Sequence, residues 1–266
     1  MGLPASLQTI EVASPAPHVL LVTLNRPAVA NALNTQMGIE LRDLWVGLTR
    51  DSGETRAVVL TGSGSKAFCA GGDLKERNGM TVETWQRQHE IFEEAYWTLI
   101  ELPVPVIVAI NGHAYAGGLE MALACDFAYA VPDARFALTE VTLGIMPGAG
   151  GTQNLPRAVG ERRAKEIILT GRPFSAAEAL EWGVLNRIVE PGQLVETSLE
   201  TAKTIAANAP MSVRQAKKSI HLGLQADLRT GLRIEVEAYN RLIGTEDRME
   251  GIRAFNEKRK PQFRNR

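Results

Sequence analysis

The chain has 266 residues, of which 45% are hydrophobic and 22% charged, a composition typical of one globular domain or of a domain with an appendage. Its 29 Lys and Arg residues balance 30 Asp and Glu residues, so no basic excess indicates nucleic-acid binding. Cys69 and Cys125 are too few for a disulfide framework and fit a reducing compartment. The four histidines are scattered without the spacing of metal ligands, so we expect no metal site.

The N-terminal segment from Met1 to Ala5 lacks the basic and apolar regions of a signal peptide. No apolar run in the sequence is long enough to span a bilayer. We therefore expect a cytoplasmic protein that contacts neither membranes nor nucleic acid.

Short β-branched apolar runs alternate with helix-periodic stretches along the first two thirds of the chain. Runs at 18–24, 57–61 and 106–110 predict strands, each ended by a turn sequence. The stretches 35–48 and 82–101 predict amphipathic helices. This alternation predicts an α/β fold with buried strands.

After Gly171 the pattern becomes mainly helical. Ser175 and Glu178 form a capping-box sequence that opens a short helix, and a last strand is predicted at 184–189. From Gln193 onward the pattern is helical, with predicted breaks at Pro210, Gly231 and Gly244. We therefore divide the chain into a core at 1–192 and a helical region at 193–266, which we expect to pack on another copy of the chain.

Three glycine-rich loops do not match nucleotide-binding motifs. The loop at 62–67 lacks the third glycine of a dinucleotide fingerprint, which disfavours a Rossmann dehydrogenase. The loop at 147–152 lacks the lysine of a P-loop, and the loop at 112–118 lacks the serine of a nucleophile elbow.

Glu120 is the one charged residue in an otherwise apolar helix that begins near Gly117. One interpretation is a carboxylate stabilised by the helix dipole; the other is a desolvated glutamate whose raised pKa suits proton transfer. The free amides at Gly117 would suit an anion or a developing oxyanion.

Gly72 and Glu140 also allow two interpretations each. Gly72 lies in a tight turn after the second predicted strand, and its amide could join that of Gly117 at one oxygen. Glu140 follows the strand-like run 135–138 and is either a solvated acid or a second carboxylate of a buried site; the apolar Leu143, Ile145 and Met146 after it favour the second.

The segments 24–27, 67–76, 103–160 and 254–259 together closely resemble enoyl-CoA hydratases of the crotonase superfamily. The resemblance covers essentially the whole chain. The runs at 74–77 and 245–251 are similar to the branch that contains methylglutaconyl-CoA hydratase.

The resemblance implies a crotonase-like spiral of ββα turns with a C-terminal helical trimerisation region, and a homo-oligomer that is a trimer or a hexamer. It implies hydration of a 2-enoyl-CoA thioester, with acyl-CoA as substrate and no further cofactor. Glu120 and Glu140 match the two catalytic glutamates, the first better suited to activating water and the second to supplying the C2 proton. Gly72 and Gly117 match the oxyanion-hole residues. The positions that match CoA contacts are Ala70, Lys75, Phe255 and Lys258.

The sequence also departs from the family pattern. Ala116 replaces a common glycine, Gly72 a common alanine, Thr139 a common proline, and Ala28 a frequent basic residue. RNA binding, which one branch achieves with a lysine-rich helix, is not expected, because the helix predicted at 35–48 has no lysine. Methylglutaconyl-CoA hydratase and enoyl-CoA isomerase remain as alternative activities.

Overall fold

The structure is a computed structural model and describes residues 7–266. The segment from Met1 to Ala5, discussed above as lacking signal-peptide character, lies outside the described residues. The strands are β1 (Ile10–Ala16), β2 (Val19–Leu24), β3 (Ala57–Gly62), β4 (Ala67–Cys69), β5 (Val106–Ile110), β6 (His113–Tyr115), β7 (Phe127–Ala130), β8 (Arg135–Ala137), β9 (Phe174–Ser175) and β10 (Arg187–Ile188). The helices are α1 (Thr35–Arg50), α2 (Leu74–Arg77), α3 (Val82–Ile100), α4 (Gly117–Ala124), α5 (Gly151–Val159), α6 (Glu161–Thr170), α7 (Ala176–Glu181), α8 (Leu194–Ala206), α9 (Pro210–Gly223), α10 (Leu228–Ile243) and α11 (Glu246–Asn256).

The strands form two sheets, one of order β1-β2-β3-β5-β7-β10 and one of order β4-β6-β8-β9. From β3 to β8 successive strands alternate between the first and the second sheet, and one or more helices follow each of β4, β6 and β8. Strands β3, β5 and β7 pair in parallel in the first sheet, as β4, β6 and β8 do in the second. The predicted spiral of ββα turns is therefore confirmed.

The first sheet is covered on both faces, which explains its continuous apolar strands. Every residue of β3 and β5 is buried, as expected for parallel strands packed between helices. Helix α8 packs against β2, β3, β5 and β7, while α1 and α3 pack against each other. This rigid core holds the loops at the ends of the strands, where the polar residues predicted to be functional lie.

The structure contains five short or edge strands that were not predicted, β1, β4, β6, β7 and β9, and it shortens one strand that was predicted. Strand β1, which pairs antiparallel with β2, was not predicted, because it is an edge strand with mostly half-buried or exposed residues and carries Pro15. The strand predicted at 184–189 is confined to Arg187–Ile188. Val184 and Leu185 are buried but lie in the turn after α7, whose capping box between Ser175 and Glu178 is confirmed.

The predicted helix break at Gly231 is wrong. Gly231 lies inside α10, and the break falls between Gly223 and Leu228, where Asp227 caps α10. A Cβ atom at Gly231 would lie 3.3 Å from the carbonyl oxygen of Gly223, so the glycine permits close packing of α9 on α10. The boundaries predicted at Pro210 and Gly244 are confirmed.

Apolar side chains of the C-terminal helices are exposed in the single chain. They include Leu224 (76% exposed), Leu228 (79%) and Phe255 (84%). Association of several copies would cover this surface, but the homo-oligomer stays a prediction. The division of the chain into a core at 1–192 and a helical region at 193–266 also stays a prediction. Among residues 7–266, no helix is long and apolar enough to cross a membrane.

Candidate active site

A cavity of about 480 Å³ lies beside the N-terminus of α4, where strands β4, β6 and β8 of the second sheet end. Five of the predicted site residues line it together: Ala70, Gly72, Gly117, Glu120 and Glu140. The turn after β4 supplies the first two, α4 supplies the next two, and Glu140 begins a 3₁₀ helix after β8. The repeated strand–turn geometry of the spiral thus brings residues separated by up to 70 positions to one place.

Glu120 lies in the first turn of α4 and is only 3% exposed. Its Oε1 accepts hydrogen bonds from the amides of Ala149 and Gly151, both at 2.8 Å. A Cβ atom at Gly151 would lie 2.9 Å from this oxygen, so only glycine lets the backbone approach so closely. Burial raises the pKa of Glu120, and the two amide hydrogen bonds oppose that rise.

Glu140 is also buried (6% exposed), but its carboxylate is less well satisfied. Within the described part of the chain, its Oε2 atom has no hydrogen-bond partner. Burial raises the pKa of Glu140 to about 7, and the negative charge of Glu120 adds to the rise. The cavity thus holds two carboxyl groups, of which Glu120 is the better stabilised as an anion.

The amides of Gly72 and Gly117 donate no hydrogen bond to any residue from 7 to 266. Gly117 is the first residue of α4, where amides lack intrahelical acceptors. Ala116 precedes it with φ 49° and ψ −126°, a strained backbone conformation for alanine. The two loops are in contact, since a Cβ atom at Gly71 would lie 3.3 Å from the Gly117 nitrogen. Two residues whose amides have no acceptor in the described chain therefore line one cavity, which is a requirement of an oxyanion hole.

Four residues on one face of α3 line the cavity and were not predicted as site residues: Trp85, His89, Phe92 and Tyr96. The Tyr96 hydroxyl donates a hydrogen bond to the Gly117 carbonyl and so supports the start of α4. Burial, then the neighbouring Cys69, Glu120 and Glu140, raise the pKa of Tyr96. The helical period does place these residues together, but the same period also describes an ordinary core-facing helix.

The apolar residues after Glu140 form one rim of the cavity. Leu143, Ile145 and Met146 line it, and their side chains are 54%, 41% and 64% exposed. Tyr115, at the end of β6, does not line the cavity and stacks with His113 at 5.8 Å between ring centroids. The rim offers an apolar surface to a ligand that enters the cavity.

The remaining residues predicted to contact CoA lie outside the cavity lining. Lys75 is exposed on α2. Phe255 and Lys258 are exposed at the end of α11 and just beyond it. Their contact with CoA stays a prediction. Among residues 7–266, no group of three or more His, Cys, Asp or Glu side chains could hold a metal ion.

Comparisons with known proteins give the family. The family model described as enoyl-CoA hydratase/isomerase matches residues 16–266. A crystal structure of an enoyl-CoA hydratase from Bacillus anthracis superposes with a TM-score of 0.95 at 47% identity, covering 97% of this chain and 100% of that one. The short-chain-enoyl-CoA hydratase of Clostridium acetobutylicum is 42% identical over 93% of this chain and 95% of its own length. The (E)-benzylidenesuccinyl-CoA hydratase of Thauera aromatica is 40% identical over 96% and 98%. The chain therefore belongs to the enoyl-CoA hydratase/isomerase family of the crotonase superfamily.

Proposed function

We propose that this protein is an enoyl-CoA hydratase, which adds water in the syn sense across the 2,3 double bond of a 2-enoyl-CoA thioester. The observation that carries the proposal is the pairing of two buried carboxyl groups, Glu120 and Glu140, with two free amides in one cavity. Relatives named as hydratases of different enoyl-CoA thioesters, each at least 40% identical, support the reaction class.

The thioester carbonyl oxygen would lie between the amides of Gly72 and Gly117. As water adds at C3, negative charge moves from the double bond onto this oxygen, where both amides donate hydrogen bonds to it. One such donor is typically worth about a hundred- to a thousandfold in rate. The amides carry no other partner in the described chain, so they are available without breaking a bond.

The two carboxyl groups take opposite roles. Glu120 is the better stabilised anion because two amides donate to it, so it accepts the proton of the attacking water. Glu140, with a pKa of about 7, keeps its proton near neutral pH and donates it to C2. Water is thereby divided into a C3 hydroxyl and a proton on Glu120, while C2 gains the proton of Glu140. Exchange of protons with solvent then restores the starting state, and the pair titrates as a coupled system.

CoA binding belongs to the same proposal. Ala70 lines the cavity beside Gly72, and Lys75 follows on the adjacent helix. Phe255 and Lys258 would reach the CoA moiety only through the C-terminal region, in a trimer or hexamer. The exposed apolar helices there support such an assembly.

The test is hydration of crotonyl-CoA, followed as loss of the enoyl-thioester absorbance. Glu120→Gln and Glu140→Gln should each lower kcat by at least about a hundredfold, since each removes a proton-transfer group. Glu90→Gln changes an exposed glutamate on α3 and is the matched control. Full activity in either active-site variant would contradict the two-carboxylate mechanism.

The second candidate is an enoyl-CoA isomerase, which moves a proton between carbons and adds no water. The family includes both activities, but the presence of a second buried carboxylate with bound amide donors favours hydration. A 3-enoyl-CoA substrate separates the two. Conversion of this substrate by Glu120→Gln, without hydration of crotonyl-CoA by the wild type, would favour the isomerase. Activity with 3-methylglutaconyl-CoA would identify the methylglutaconyl-CoA hydratase alternative.

A further inference from the structure

Arg77 places a positive charge in the wall of the cavity. It is the last residue of α2, is half-buried, and lines the same space as Glu120 and Glu140. The proposed hydration uses no cation at this place. The environment of the guanidinium therefore indicates what else the cavity binds.

The guanidinium of Arg77 is held in one orientation. Its Nε donates to Oε1 of Gln88 at 2.9 Å, and its Cζ lies 4.4 Å from the centre of the Trp85 ring. Gln88 is only 2% exposed and is itself fixed, because its Nε2 donates to Thr35 and Glu76 at 2.8 Å each. Much of the entropy cost of ordering an arginine is therefore met before a ligand binds.

The terminal nitrogens of Arg77 are left for a ligand. Within the described part of the chain, Nη1 and Nη2 donate no hydrogen bond, and Arg77 forms no ion pair. The neighbouring Glu76 directs Oε2 to the Thr35 amide and to Gln88 instead. Burial lowers the pKa of Arg77, yet arginine stays charged at neutral pH. A half-buried guanidinium with two unused donors is suited to bidentate binding of a carboxylate.

Gly72 makes room for this arrangement. A Cβ atom at Gly72 would lie 2.9 Å from both Cζ and Nη1 of Arg77, so the guanidinium occupies the space that an alanine methyl group would need. The cation consequently lies next to the amide proposed to bind the thioester oxygen. An anionic group within a few bonds of that carbonyl would be in reach of Nη1 and Nη2.

We propose that Arg77 binds a carboxylate at the far end of a short acyl chain, so that the preferred substrates are 2-enoyl-CoA thioesters with a terminal carboxylate. The inference rests on the proposed hydratase function and adds the substrate class to it. A phosphate of CoA is the other anion that the substrate carries. It is present on every acyl-CoA, so a comparison of acyl groups separates it from an acyl carboxylate.

The experiment compares glutaconyl-CoA with 2-pentenoyl-CoA, which differ by a terminal carboxylate in place of a methyl group. The readout is the ratio of their kcat/KM values for hydration. A bidentate charged contact is worth about ten- to a hundredfold, so the wild type should favour glutaconyl-CoA by that factor. Arg77→Gln should abolish the preference, and Arg77→Lys should retain only part of it, because lysine cannot form the planar fork.

Two further variants sharpen the test. Arg87→Gln removes an exposed arginine on α3 that pairs with Glu83, and it should keep the wild-type ratio. Gly72→Ala keeps the backbone amide but displaces the guanidinium, and it should lower the ratio as Arg77→Gln does. Both kcat/KM values are measured on the same sample of each variant. Partial unfolding lowers the two values by the same factor, so it does not change their ratio.

The outcomes distinguish the inference from the proposed function. A wild type that hydrates both substrates equally well overturns the carboxylate proposal alone. An equal loss of both activities in folded Arg77→Gln also overturns it and assigns Arg77 to the CoA moiety. A wild type that hydrates neither of these two thioesters, nor crotonyl-CoA, nor 3-methylglutaconyl-CoA, overturns the hydratase function itself.

Discussion

Replacing Glu140 by glutamine should remove activity and at the same time stabilise the fold at alkaline pH. The side chain is only 6% exposed, its Oε2 has no partner in residues 7–266, and its pKa is raised to about 7 from an ordinary value of 4.5. Glutamine is nearly isosteric with the protonated acid and carries no charge to bury. The variant therefore removes the effect of the buried charge on stability while it keeps the packing of the side chain.

The sign of the effect follows from linkage. Below pH 4.5, Glu140 is neutral in both the folded and the unfolded protein, so its ionisation does not change the free energy of unfolding. Between pH 4.5 and 7 the unfolded chain releases the proton while the folded chain keeps it, so the free energy of unfolding falls as pH rises. Each pH unit corresponds to about 1.4 kcal/mol, which gives a cost of about 1 kcal/mol at pH 5 and about 3 kcal/mol at pH 8. Glu140→Gln should raise the free energy of unfolding by these amounts.

Thermal unfolding of the wild type and Glu140→Gln at the two pH values measures the difference. For a chain of this size, about 3 kcal/mol corresponds to roughly 6 °C in Tm, so the variant should exceed the wild type by that amount at pH 8 and by about 2 °C at pH 5. Glu90→Gln, an exposed change, should show no such pH-dependent difference.

Equal Tm differences at both pH values would refute the reasoning, because a packing effect does not depend on the protonation of Glu140. A lower Tm of the variant at pH 8 would refute it as well. The second result would mean that the carboxylate is stabilised as an anion in the folded protein.

Four other results are expected. Gly151→Ala should lower kcat by about a hundredfold, because the new Cβ would lie 2.9 Å from Oε1 of Glu120 and displace it. Activity near the wild type would contradict a role of the Ala149 and Gly151 amides in holding Glu120. Glu40→Gln should destabilise the fold by about 1–3 kcal/mol near neutral pH and by less in acid. The hydrogen-bonded carboxylate of Glu40 has a lowered pKa, so its stabilising contribution is lost as pH falls. Urea unfolding at two pH values measures the difference. The kcat/KM of hydration should decline as pH rises through about 7, where Glu140 loses its proton, and a profile that keeps rising would exclude Glu140 as the acid. Leu228→Arg, at a side chain 79% exposed in the single chain, should yield a smaller species in light scattering, and an unchanged mass would remove α10 from the subunit interface.

The sequence predicts well those elements whose burial produces a sequence pattern with only one structural interpretation. The run 106–110 is apolar throughout and forms β5 with the predicted bounds, because a strand covered on both faces tolerates no polar position. Glu120 could be singled out for a related reason, since it is the only charge in a buried helix. Its proximity to Gly72 and Glu140 came from the family resemblance, because no periodicity relates residues on different turns of the spiral.

Features made by backbone groups were not predictable in the same way. The amides of Ala149 and Gly151 hold Glu120, but an amide is present at every non-proline residue and leaves no mark in the sequence. The loop at 147–152 was distinguished from P-loops by its lack of lysine, but its role at the carboxylate of Glu120 was missed. Gly231 was predicted as a helix break, whereas it allows α9 to pack closely on α10. A glycine alone does not distinguish a turn from a close helix contact.

Three buried glutamates illustrate how the backbone determines the charge of a carboxyl group. Burial favours the neutral form of each. At Glu40, hydrogen bonds from Thr9, Gln36 and Gln8 outweigh that effect and the pKa is lowered. At Glu120, two amides only partly offset burial, and the pKa is raised. At Glu140, Oε2 has no partner in the described chain and the pKa reaches about 7. The number of donors thus makes the first carboxylate structural and gives the other two unequal proton affinities. A hydratase needs this inequality, because one group must take a proton from water while the other delivers one to carbon.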